Sequence, residues 1–243
     1  MRINRFIASA GVCSRRDADK LIQEGRVCVN GAPARTGMVV GSGDLVTVDG
    51  RPLEPRPPES RVVLAFHKPK GVTSTSDPAR RDNIISYINY PRRIFTIGRL
   101  DRDTRGLILL TDDGRLAHRV MHSSFGHEKE YVVTVDHKIN EDFLQAMRSG
   151  VRILDQTTLP CTAWKTGERE FHLVLRQGLN RQIRRMCQAL GFQVTDLIRI
   201  RIMHITLGTL AEGSFRELTH KEIGQLLQSV ADKDGRSQNT VKC

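Results

Sequence analysis

Residues 97–116 read IGRLDRDTRGLILLTDDGRL, and the fold turns on how this stretch is parsed. The run Leu107–Leu110 is continuously apolar and is bounded by Gly106 and by Asp112-Asp113-Gly114, so it predicts a strand. Just upstream, RIFTIG (93–98) predicts a second strand. The loop between them carries a carboxylate, Asp101, among arginines. An exposed loop tolerates that arrangement, and so does an active site that needs its Asp ionised.

Working outward, the chain changes character near residue 60. Residues 2–24 read as two short amphipathic helices. The first has an apolar stripe of Ile3, Phe6, Ile7 and Ala10 and stops at Gly11; the second is capped by Ser14, with Asp17 three residues on, and is closed by Gly25. Two short alternating strands, RVCVNG and DLVTVDG, follow, the first ending in a hairpin-type Asn30-Gly31 turn. RPLEPRPPES then places four prolines in ten residues. Such a segment forms neither a helix nor a central strand and reads as a semi-rigid linker. The expected organisation is a small domain (1–55), a linker (56–61), a larger domain (62–230) and a disordered polar tail (231–243).

In the larger domain, strands outnumber helices and do not alternate with them regularly enough for a parallel wind. The fold class is therefore α+β, with a mixed, mainly antiparallel sheet. Helices are expected over 82–88, 115–122, 140–150, 180–192 and 219–230, with Asn140 and Thr219 as caps. TDLIRIRIMHITL (195–207) reads as one long strand.

Charge narrows the function. Of 243 residues, 38 are Lys or Arg and 27 are Asp or Glu, a formal net charge of +11. A field of that sign attracts polyanions, above all nucleic acid; the blander reading is that the excess only confers solubility. Arg2, Arg5, Arg15, Arg16 and Lys20 concentrate this charge on the polar faces of the first two helices. The five cysteines form no CxxC pair, which argues against a zinc site or disulfide framework and for a reducing compartment. The N-terminus lacks a signal-peptide apolar run and no stretch is long enough to span a membrane, so a cytoplasmic protein is expected.

Several chemistries are disfavoured. Asp101, Asp103 and Gly106 mimic the start of a calcium loop, but Arg105 stands where the fifth ligand belongs and Asp112 replaces the bidentate Glu. A hydrolase of the glycosidase type would need a second carboxylate facing Asp101, and Asp112 and Asp113 look like a strand exit. Three segments remain together: the Asp101 loop with Arg99, the strand start KEYVV with Lys129 and Tyr131 on one face, and LNRQIRRM. In the last, Arg181 with Arg184, or Arg181 with Arg185, shares a helix side. A rigid ionised Asp, a flat aromatic ring and phosphate-binding arginines describe a pocket for one nucleotide.

These segments, RLDRDTRGLILLTDDG, HEKEYVVTVD and QGLNRQIRRMC, resemble the ordered motifs of the RsuA-type pseudouridine synthases. RINRFIASAGVCSRRDADKLIQEGRVCVNG resembles the S4 RNA-binding domain that precedes the catalytic domain in that family. Details such as RDNI are most similar to its RluF branch, which acts on large-subunit ribosomal RNA. The resemblance implies that Asp101 is the nucleophile of uridine-to-pseudouridine isomerisation, that Tyr131 stacks on the uracil, and that Arg184 forms the ion pair that positions Asp101. Arg99, Lys129, Asn180, Arg181 and Arg185 are expected as substrate contacts, and Arg2, Arg5, Arg15, Arg16 and Lys20 as RNA contacts. It implies no cofactor and no metal. Ribosomal RNA is the expected partner, with tRNA as a further candidate, and the expected state is a monomer. The rival reading is a non-catalytic RNA-binding assembly factor, which would have no use for an anion in an RNA groove.

Overall fold

The computed structural model describes residues 1–54, 57, 60–77, 79–121 and 126–237, the last six of these as backbone only. The chain divides into two compact units. One comprises Met1–Val62 with Tyr90–Ile94 and Asp112–Gly114; the other comprises Val63–Asn89, Phe95–Thr111 and the chain from Arg115 onward.

In the first unit, α1 (Ile3–Ser9) and α2 (Arg15–Gln23) pack Ile3, Phe6, Ile7, Ala18 and Ile22 against Val27, Val29, Val46 and Val48. Ser14 caps α2 as its sequence predicts: its hydroxyl accepts from Asp17 N–H at 3.1 Å and donates to the Asp17 carboxylate at 2.6 Å. Four short strands, β1 (Val27–Val29), β2 (Ala32–Pro33), β3 (Val46–Val48) and β4 (Arg51–Pro52), form a sheet in the order β2-β1-β3-β4. The Asn30-Gly31 turn joins β1 to β2, with φ of 52° and 82°. Asp49-Gly50 makes an equivalent turn, so the first residues of the proline-rich stretch belong to a strand. Half of the expected linker, residues 56, 58 and 59, lies outside the described residues, as does residue 55.

The second unit is built on one sheet in the order β11-β12-β8-β13-β7-β5-β15. Its strands are β5 (Val63–Lys68), β6 (Phe95–Ile97), β7 (Arg105–Thr111), β8 (Lys129–Val135), β11 (Thr162–Lys165), β12 (Glu170–Leu175), β13 (Val194–Ile202), β14 (Ile205–Thr206) and β15 (Phe215–Glu217). All its pairings are antiparallel except β13 with β7, so the sheet is mixed and mainly antiparallel, as expected. Leu107–Leu110 are fully buried, each side chain contributing about 1.5–3 kcal/mol. The helices are α3 (Ile84–Ile88), α4 (Gly114–Met121), α5 (Glu141–Ser149), α6 (Gln182–Ala189) and α7 (His220–Ser237). Asn83, Asn140 and Thr219 accept at the N-termini of α3, α5 and α7.

Two expectations need correction, and one hairpin was not anticipated. The segment 195–207 is not one strand: Met203, at φ 53°, turns the chain so that β14 folds back on β13. The apolar residues change phase there, from Ile198, Ile200 and Ile202 to Met203, Ile205 and Leu207, a one-residue slip that a reading of the whole stretch as one strand passes over. A second hairpin, β9 (Arg152–Ile153) with β10 (Gln156–Thr157), turns on Leu154-Asp155. It lacks the Gly or Asn that would have announced it. Finally, α7 continues through Ser237 instead of ending at Val230; nothing in Ala231–Asp234 stops a helix, and extension gains one backbone bond per residue. Residues 238–243 lie outside the described residues.

The parallel seam explains Gly106. It takes φ 108°, and a Cβ there would lie 2.3 Å from the Arg199 carbonyl oxygen and 2.5 Å from its nitrogen. Both obstacles are backbone, so no side chain can yield. Gly106→Ala is expected to destabilise the protein by about 2–4 kcal/mol, read from urea midpoints; a loss below about 0.5 kcal/mol would show that the seam opens freely.

Candidate active site

A cavity of about 500 Å³ opens within the second unit, lined by Arg99, Asp101, Lys129, Tyr131, Asn180, Arg181, Arg184 and Arg199 among others. That size suits a small-molecule or single-nucleotide site. Its geometry follows from how four segments converge.

Asp101 lies on the loop from β6 to β7, and that loop is pinned at successive residues. Ser74 Oγ donates to Leu100 O at 2.9 Å and accepts from Leu100 N at 3.2 Å. Gly71 N donates to Arg102 O at 2.8 Å, while Arg102 Nε donates to Gly71 O at 3.1 Å and to Asp82 at 3.0 Å. Thr104 N closes a turn onto Asp101 O at 3.1 Å. The hydrogen bond from Thr73 to Asp82, with that from Arg102, outweighs desolvation and lowers the Asp82 carboxyl to about 2, so this anchor stays charged.

The arginines come from the start of α6. Arg181 is its N-cap residue, in the left-handed region at φ 48°. Its terminal nitrogens donate to Asp103 Oδ1 and Oδ2 at 3.1 and 3.0 Å, and Nη1 stands 3.8 Å from Asp101 Oδ2. Arg184 does not reach Asp101 as the resemblance implied. Its Nε lies 3.2 Å from Asp103 Oδ2, its Nη2 donates to Asp103 O at 3.0 Å, and its Nη1 donates to Val194 O at 3.2 Å. The reason is geometric: Arg184 lies one turn into α6, beside the start of β13, whereas the N-cap residue stands nearer Asp101. Arg185 turns back on Asn180 O at 3.1 Å, so the choice left open in the sequence falls to Arg181 with Arg184. Burial raises the Asp103 carboxyl, but the Arg181 hydrogen bond and the charges of Arg184 and Arg181 outweigh it and hold it below the usual range.

Lys129 and Tyr131 share the cavity face of β8, as strand alternation requires, and Lys129 Nζ donates to His127 O at 2.9 Å. Tyr131 pairs across the strands with Leu173 and Arg199 and packs at the edge of the core formed by Phe143, Phe171 and Ile183. Arg99 is exposed on the cavity rim. Arg2, Arg5, Arg15, Arg16 and Lys20 are all exposed on the first unit, Lys20 within 3.7 Å of Asp17.

Two buried cations escaped the sequence reading. Lys68, at the end of β5, is fully buried and donates to Pro69 O and Val72 O, both at 2.8 Å. Arg199, 3% exposed, donates from Nε to Leu107 O at 2.7 Å, and its Nη2 has no hydrogen-bond partner among the described residues. A Lys closing an all-buried strand was the available signal for the first. For Arg199, strand parity misleads: Arg199 and Arg201 should share a face. An irregularity between them pairs Arg199 with Tyr131 but Arg201 with Glu130, and Arg201 Nε meets Glu130 at 2.8 Å on the other face. The calcium-like spacing is likewise resolved into ion pairs, Arg105 with Asp196 at 2.6 Å and Arg181 with Asp103.

Residues 62–189 match the RNA pseudouridylate synthase family, and residues 1–46 match the S4 domain. The chain is 43% identical over 241 residues to the dual-specificity RNA pseudouridine synthase RluF of Salmonella typhi, across 99% of this chain and 83% of that protein. It is 36% identical over 240 residues to the ribosomal large subunit pseudouridine synthase B of Bacillus subtilis (strain 168), across 95% of this chain and 97% of that one. A pseudouridylate synthase crystal structure superposes with a TM-score of 0.68 and 30% identity, covering 93% of this chain and 99% of the other.

Desolvation pulls the Lys68 ammonium down from 10.5 to about 8, against the opposing charges of Asp103 and Asp101. Between those values the unfolded chain binds more protons than the folded one, so the cost of burying the charge fades as pH rises. The urea-midpoint difference between wild type and Lys68→Met should therefore shift in favour of wild type from pH 8 to 10; a constant difference would contradict it. The family match, the S4 match and full-length relatives agree with the pocket's geometry: the chain belongs to the RNA pseudouridylate synthase family.

Proposed function

We propose that this chain isomerises a uridine of ribosomal RNA, in the large subunit, to pseudouridine, with Asp101 as nucleophile. The observation that carries the proposal is a carboxylate on a pinned loop, 3.8 Å from the Arg181 guanidinium, in the same cavity as Tyr131. The relatives named for this reaction supply the substrate class. The first unit, within residues 1–55, holds RNA through Arg2, Arg5, Arg15, Arg16 and Lys20. The protein works as a monomer in the cytoplasm, and tRNA is a second candidate substrate.

The chemistry asks four things of the pocket. A stacked or paired uridine is flipped out at a cost of a few kcal/mol, and stacking on Tyr131 offsets about 1–3 kcal/mol of it. The N1–C1′ bond breaks, the uracil turns while held, and a C5–C1′ bond forms as C5 loses its proton. Asp101 either attacks C1′ to give a covalent intermediate or takes a ribose proton to give a glycal. Arg181 sets a positive charge 3.8 Å from the Asp101 carboxylate that both routes use. Arg99, Lys129, Asn180 and Arg185 line or border the cavity where the flanking phosphates pass. A pure binder has no need of Asp101.

Purified Asp101→Asn should bind a large-subunit RNA transcript within a few-fold of wild type, yet form no pseudouridine by mass spectrometry. Product formed by Asp101→Asn would remove the nucleophile from this account. RNA affinity should also fall steeply between 50 and 200 mM salt, and a chain starting at residue 56 should lose affinity while its catalytic unit stays folded. Undiminished binding by that truncated chain would remove the RNA role from the first unit.

A further inference from the structure

We propose that Asp103 is a positioning residue that diverts the hydrogen bonds of Arg181 away from Asp101, so that the nucleophile is charge-paired but its oxygens stay open. The inference rests on the reading of Asp101 given above. The first observation is a division of labour within a single guanidinium. Arg181 spends both terminal nitrogens on Asp103, at 3.1 and 3.0 Å, and comes only to 3.8 Å of Asp101, beyond hydrogen-bond reach.

The second is that Arg184 is drawn to the same carboxylate, at 3.2 Å, and to the Asp103 carbonyl oxygen. Among the described residues, nothing donates a hydrogen bond to the Asp101 side chain, whose other charged neighbour of note is the buried Lys68. Asp103 is therefore the hub on which the loop and α6 meet.

The physical consequence follows from the fork shape of arginine. A guanidinium 3.8 Å from a free carboxylate, with its donors released, closes into a two-bond pair. Such a pair ties up the lone pairs that attack carbon and makes the carboxylate a weaker base. Asp103 supplies a competing acceptor two residues along the chain. It leaves Asp101 the benefit of the positive charge without the hydrogen bonds.

The test is single-turnover isomerisation of the large-subunit RNA transcript by the full chain. Asp103→Asn should slow the step on the order of 100-fold, with RNA affinity nearly unchanged and the acid limb of the rate profile moved to lower pH. In an Arg181→Gln background the same substitution should add little, because there is no longer a guanidinium to divert. Asp103→Glu, which keeps the charge, should recover part of the rate and guards against a folding artefact. A wild-type rate in Asp103→Asn, or an equal loss with Arg181 present and absent, would overturn the inference. Asp101→Asn run alongside separates the two ideas: if it is inactive while Asp103→Asn is normal, only this inference fails, whereas an active Asp101→Asn fails the reading beneath it.

Discussion

The close approach of β7 to β13 at Gly106 is the constraint on which the site depends. It brings the backbone of Arg199 against that of the strand that begins just after the Asp101 loop. Because β13 also pairs with β8, the same seam sets Tyr131 relative to Asp101. A glycine is needed because only hydrogen fits there, and the parallel pairing lets the loop rise from one strand beside the wall made by the others. The hydrogen bonds from Ser74, Gly71, Arg102 and Thr104 then hold the loop with little freedom. Rigidity of that kind is what lets a small carboxylate act on one atom of a large substrate.

Charge is arranged in two layers around the cavity. At the rim, exposed Arg99 offers donors suited to phosphate, while Arg181 and Arg184 are held by Asp103. Beneath them, Lys68 and Arg199 are cations removed from water, a costly placement that persists because backbone carbonyls satisfy part of each and carboxylates lie close. The acidic residues of the site are thus few and heavily countered, which reconciles an anionic nucleophile with a pocket for a polyanion.

Much of this was legible in the sequence because local rules governed it. Ser14, Asn140 and Thr219 cap the helices they announce, the Asn30-Gly31 turn closes its hairpin, and the Leu107–Leu110 run becomes the strand it predicts. The convergence of Asp101, Tyr131, Arg181 and Arg184 in one cavity was also anticipated, from three motifs read together. What escaped depends on long-range pairing. The β13 irregularity that parts Arg199 from Arg201, the turn at Met203 and the burial of Lys68 are set by neighbouring strands. The ion pair of Arg184 with Asp101, which the resemblance implied, is likewise replaced by one with Asp103, because the packing of α6 beside β13 decides which carboxylate each arginine meets.

The most direct measurement is a pseudouridine map of ribosomal RNA from cells lacking this protein, compared with cells given back wild type or Asp101→Asn. The account predicts that one or more large-subunit uridines go unmodified and that wild type alone restores them. A map unchanged by loss of the protein, or restored by Asp101→Asn, would contradict it.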